Sequence, residues 1–160
     1  MPLDFERKKL TPSFARWEFV ISETASRLAI TNSPTAGQWD NLRALSENCL
    51  EPAHVACGPI HVTSGFRSYE LNKAIGGAAN SQHMNGEAAD IIPYHGSLVD
   101  LFRWLYSSDA PWDQIIWEFG SWVHISHVKD GAQRRQALIA TKVDGKTVYS
   151  PLTATQVREM

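Results

Sequence analysis

The chain of 160 residues carries 15 Lys and Arg against 17 Asp and Glu, a formal net charge of −2, and 43% of it is hydrophobic. That length suits one domain, residues 1–160, with one buried core, and the balanced charge excludes the basic footprint of a nucleic-acid or anionic-membrane binder. Met1 to Lys9 are polar and charged with no apolar signal core, and no run is long enough to cross a bilayer, so cytoplasmic synthesis without a signal peptide and no membrane insertion are expected.

Taken in order, Phe14 to Ala29 has helical spacing, with Phe14, Trp17, Ile21, Ala25 and Leu28 on one stripe and Thr11-Pro12 as its start. A second helix spans Pro34 to Cys49, its apolar face formed by Trp39, Leu42, Leu45 and Cys49, and Leu50 to Gly58 is expected as a loop. Pro59 to Ser64 alternates as a strand, Ser68 to Ile75 is a short helix ended by Gly76-Gly77, and Ala78 to Glu87 is an irregular loop leading into a strand at Ala88 to Ile92. Ser97 to Ser107 is a helix with Leu98, Leu101, Phe102 and Leu105 inward. Strands follow at Gln114 to Phe119 and Trp122 to Val128, then a hairpin at 137–149 around Asp144-Gly145. Helices first and mostly strands later predict an α+β domain, an antiparallel sheet with helices packed on one side. The end from about Thr153 is expected to be loose. Cys49 and Cys57 are too few for a disulfide framework; their spacing permits a bridge, which the cytoplasmic expectation disfavours.

Chemistry concentrates at three places. His83 lies in a glycine-bearing loop that runs into a strand, and Asp90 enters that strand ahead of Ile91-Ile92, where a buried carboxylate needs a partner. In Trp122-Val123-His124-Ile125-Ser126 the alternation sets His124 beside Trp122 and Ser126 and away from the aliphatic side. His127 has the opposite parity. Two imidazoles and one carboxylate form a three-ligand zinc set with one position open, the arrangement hydrolytic zinc requires.

These segments, Ser64-Gly65-Phe66-Arg67-Ser68, Ser81-x-His83-x-x-Gly86-x-Ala88-x-Asp90 and Trp122-Val123-His124-Ile125-Ser126, resemble the three motifs of the zinc D-alanyl-D-alanine carboxypeptidases, relatives of the murein endopeptidases and of the hedgehog fold. Asn32-Ser33-Pro34 and Asn72…Gly76-Gly77 resemble a subfamily found in phages and prophages. The resemblance covers about 14–128. It implies one Zn2+ per chain on His83, Asp90 and His124, and an Arg67 that recognises a substrate carboxylate or polarises its carbonyl, as the arginine fork suits. Ser81 and Trp122 are the accompanying substrate-binding residues. It also implies an acidic general base shortly before the last ligand. Ser121 occupies one position used for it, whereas Glu118, six residues before His124, occupies the other; Glu87 is the alternative. A strict two-residue turn at Gly120-Ser121 would pair Glu118 with Val123 and face it away from His124, so an odd-length connection or a bulge is required.

The resemblance thus implies a zinc peptidase acting on peptidoglycan stem peptides, as a carboxypeptidase or an endopeptidase. Phage or prophage origin, a monomer, and action at the cell wall after lysis release or as a virion component are the accompanying expectations. The alternative is a non-catalytic, zinc-stapled binding or structural module.

Overall fold

The computed structural model describes residues 8–160. Most of the charged N-terminal stretch considered above lies outside the described residues. A short hairpin, β1 (Lys9–Thr11) with β2 (Phe14–Ala15), precedes a six-stranded sheet in the order β3-β4-β6-β5-β7-β8. Its strands are β3 (Ile60–Ser64), β4 (Ala88–Pro93), β5 (Gln114–Glu118), β6 (Trp122–Ser126), β7 (Gln136–Val143) and β8 (Lys146–Pro151). The α+β expectation holds. The sheet is mixed rather than purely antiparallel, because β5 and β7 pair in parallel while the other neighbours are antiparallel. The cause is local. After β6 the chain returns to the start of β5, where Arg134 N–H donates to Asp113 Oδ1 and Gln136 N–H to the Asp113 carbonyl, so β7 departs in the direction of β5.

Alternation gives this sheet two faces. Val62, Ala89, Ile91, Val123, Ile125 and Ile115 join one apolar cluster with the helical residues Leu42, Leu45, Leu101, Phe102 and Leu105. Each fully buried Leu, Ile or Phe of that cluster contributes roughly 1.5–3 kcal/mol. The opposite face carries Asp90, His124, Trp122, Glu118 and Tyr149, which line a cleft.

The helices depart from expectation at both ends of the chain. The 14–29 segment is β2, a 3-10 turn at Arg16–Phe19 and then α1 (Glu23–Arg27) rather than one helix. Phe14 and Phe19 are both fully buried and meet at 6.2 Å, five residues apart and off a single helical stripe. Ile21 and Leu28, assigned to that stripe, are more than half exposed. Thr35 opens α2 (Ala36–Leu45) with a capping box. That helix continues through a π turn at Ser46–Leu50 into α3 (Glu51–Cys57), where a loop was expected. Pro52 explains the widening: it has no N–H for the carbonyl four residues back, and its ring crowds that carbonyl. α4 (Tyr69–Ala74) is capped by Ser68, and α5 (Leu98–Ser107) by Ser97. The tail is ordered as α6 (Ala154–Arg158), with Val157 buried and Arg103 donating to the carbonyls of Val157, Arg158 and Met160. Cys49 and Cys57 are both free, and burial pushes the Cys49 thiol up to about 12. No helix among the described residues is long and apolar enough to cross a membrane.

Candidate metal centre and cleft

His83 is positioned by backbone. Ser81 caps the 3-10 turn Gln82–Asn85 by accepting from the His83 N–H, and the His83 carbonyl accepts from Arg67 N–H at 3.1 Å. The ring meets the Gly65 carbonyl through Nδ1 at 2.7 Å. Donation there fixes the tautomer and leaves Nε2 as the acceptor. Gly65 must be glycine, because a Cβ would lie 2.6 Å from the Phe19 carbonyl oxygen. Gly86 closes the loop at φ +75°, and its Cβ would lie 2.5 Å from the Gln38 carbonyl oxygen.

Asp90 and His124 are direct cross-strand partners on β4 and β6. Asp90 Oδ1 stands 3.3 Å from His83 Nε2 and 3.2 Å from His124 Nδ1, and all three residues are buried. Their ligand atoms lie within 4.8 Å of one another. Burial by itself would raise the Asp90 pKa, but the two imidazoles outweigh it and hold the carboxyl below the usual carboxylate range. Two nitrogens and one ionised oxygen, preorganised by a carbonyl behind His83, fit a divalent zinc ion. His127 is excluded from the cluster: its ring meets the Pro111 carbonyl at 2.6 Å.

Arg67 sits against this cluster. Nη2 donates to Asp90 Oδ2 at 3.0 Å and Nε to Ser64 Oγ at 3.1 Å, while the side chain also lines the cleft. Its bond to Asp90 is a positioning contact that the sequence did not disclose.

Glu118 and Trp122 are cross-strand partners, joined by Phe119-Gly120-Ser121. The connection has three residues, not two. Phe119 and Gly120 adopt φ of +56° and +68°, and Ser121 N–H closes the turn on the Glu118 carbonyl. This odd length sets Glu118 on the face of His124. Burial, then the charge of Asp90, raises the Glu118 pKa against the lowering influence of His124 and Arg67. Glu87 is half-buried, accepts from Asn85 Nδ2, and is not among the residues lining the cleft.

The cleft, about 600 Å³, is lined by Arg67, Ser81, His83, Asp90, Glu118, Trp122 and His124 among others. Of the site residues singled out from the sequence, all but the alternative base Glu87 therefore line one cavity. Trp122 Nε1 is buried without a hydrogen-bond partner among the described residues. Sequence reasoning missed the far wall, to which β7 and β8 contribute Leu138, Lys142, Thr147 and Tyr149. The Asp144-Gly145 turn carried the missing signal. It pairs Lys142 with Thr147 and Ala140 with Tyr149, so the parity of Leu138 extends along the hairpin.

Two comparisons with known proteins bear on this cleft. The sequence model of a family described as Peptidase M15 matches residues 12–126. The chain is also similar to a zinc D-Ala-D-Ala carboxypeptidase of Streptomyces albus G, with 58% identity over 33 residues, which is 21% of this chain and 13% of that protein.

Proposed function

Since the chain belongs to the peptidase M15 family, we propose that it is a zinc metallopeptidase that hydrolyses peptide bonds of bacterial peptidoglycan. The carrying observation is that Glu118 shares a sheet face with Asp90 and His124, and a cleft with both of them and His83. Zinc held by these three would supply Lewis acidity, withdrawing electrons from the scissile carbonyl and making water easier to deprotonate. The Glu118 carboxylate takes the proton from the attacking water and later returns it to the leaving amine. A carboxylate desolvated beside Asp90 is a stronger base than an exposed one. Trp122 and Ser81 border the peptide, and Arg67 orients Asp90 while presenting its charge to the cleft. A zinc-stapled module would need no carboxylate beside its metal and no open cavity.

The substrate reading draws support from the relative named as a zinc D-Ala-D-Ala carboxypeptidase. D-Ala-D-Ala carboxypeptidase or murein endopeptidase action, as one protomer of phage or prophage origin reaching the wall by lysis or within a virion, completes the proposal. Mass spectrometry of purified peptidoglycan fragments tests it. Zinc-loaded protein should release peptides with new amino and carboxyl termini, and chelation should stop this. Intact fragments after digestion with zinc-loaded protein would exclude the activity.

A further inference from the structure

Arg134 lies beyond the family-matched segment, between β6 and β7, and lines the cleft. Its backbone N–H donates to Asp113 Oδ1 at 2.7 Å. Nε and Nη2 both donate to Asp113 Oδ2, at 3.0 and 2.7 Å, and Nη2 reaches Gln82 Oε1 at 3.1 Å. Gln82 Nε2 closes the triangle on Asp113 Oδ2 at 3.2 Å. Asp113 is 1% exposed, whereas the Arg134 side chain is 53% exposed. A buried carboxylate therefore holds an accessible guanidinium in one orientation.

An arginine normally gives up rotamer freedom when it grips an anion. Here that ordering is complete before a ligand arrives, which favours binding. Nη1 has no hydrogen-bond partner among the described residues, so two donors of a planar cation remain. Gln82 also precedes the metal-ligand residue His83 in the chain, so the subsite and the reaction centre share one short turn. Arg67, the other arginine of the cleft, is already bonded to Asp90.

We propose that Arg134, held by Asp113 and Gln82, is a specificity-determining residue that binds a carboxylate of the substrate peptide outside the scissile bond. This rests on the peptidase reading above. The ligand chemistry is an acidic peptide, and its amidated counterpart is the discriminating competitor, because a carboxamide brings no charge to the fork.

The experiment uses synthetic stem-type peptides that differ at one carboxyl, free in one member of a pair and amidated in the other, with each carboxyl outside the scissile bond tried in turn. For the zinc-loaded parent, amidation at one position should lower kcat/KM at least about tenfold, the scale of one lost charged hydrogen bond. Arg134→Gln should erase the difference between acid and amide. Arg134→Lys, which keeps a charge for Asp113 but not the fork, should retain part of it. Calorimetric binding of the same pairs to Glu118→Gln, with and without Arg134→Gln, reads the subsite without turnover. An acid preference in binding that depends on Arg134 upholds the subsite even if the parent cleaves neither peptide, a result that would sink only the peptidase reading. Equal losses on acid and amide, or a preference that survives Arg134→Gln, overturn the subsite and leave Arg134 as a brace for the Gln82 turn. Should Arg134→Gln not fold, an undiminished acid preference in Arg134→Lys overturns it as well.

Discussion

At the scale of residues, Glu118 differs from the other acidic groups around the ligands. Asp90 has Arg67 and Asp113 has Arg134, while no hydrogen bond or ion pair holds the Glu118 carboxylate among the described residues. Glu118→Gln should fold and keep its zinc by elemental analysis, yet cleave wall peptides about 10²–10⁴-fold more slowly, the usual cost of losing a general base. Glu87→Gln should stay close to the parent; the reverse ranking would move the base to Glu87. Asp113 invites a different measurement. Burial would raise its pKa, but hydrogen bonds from Arg134 and Gln82 outweigh burial and lower it. A carboxyl depressed in the folded state stabilises the protein above its unfolded pKa of about 3.9 and loses that contribution as pH falls further. Asp113→Asn should therefore be less stable than the parent by about 1–3 kcal/mol at neutral pH, the range for bonds to a charged group. The gap between their denaturation midpoints should close as pH drops below about 4. A gap that is the same at pH 3 and pH 7 would mean the lost contacts are not ionic.

At the scale of elements, local chemistry that the sequence displays directly was well read. The helices expected to begin at Ser68 and Ser97 do begin there, Asp144-Gly145 turns its hairpin at φ of +50° and +77°, and the His83–Asp90 loop enters its strand as expected. Errors arose where tertiary contact overrode periodicity. Phe14 and Phe19 are drawn into the core from different backbone states, which breaks the supposed 14–29 helix. Pro52, read as part of a loop, sits instead in the first turn of a helix that absorbs it by widening. The cluster of His83, Asp90 and His124 was legible because residue type, spacing and strand parity agreed. The face of Glu118 was not, since it depended on one residue in a turn. Gly65 ties an element to the site: it packs against the Phe19 carbonyl and offers its own carbonyl to His83. Gly65→Ala should cost about 1–3 kcal/mol in chemical denaturation, as forced overpacking does. It should also weaken zinc affinity about 10–100-fold, the scale for disturbed outer-shell partners. Parent-like affinity in a destabilised Gly65→Ala would show that the carbonyl does not orient the ligand.

At the scale of the whole molecule, one sheet separates the hydrophobic cluster from the cleft, and the parallel β5–β7 pair brings Arg134, Leu138 and Lys142 around to the open face. No local pattern announces that pairing, because it depends on where a returning loop docks. The direct pairing of Asp90 with His124 has a consequence for time rather than for structure. These residues are 34 apart in sequence, and they come together only when β4 and β6 have docked, a non-local step that ordinarily forms late. A cation that needs both cannot bind before then, so it acts on the native state and not on the path to it. Saturating zinc should slow unfolding in denaturant jumps, about a thousandfold at a zinc concentration 1,000 times its dissociation constant. Refolding from denaturant should proceed at the same rate with or without the metal. A refolding rate that climbs with zinc would place the β4–β6 pairing, and the ligand set with it, inside the folding nucleus.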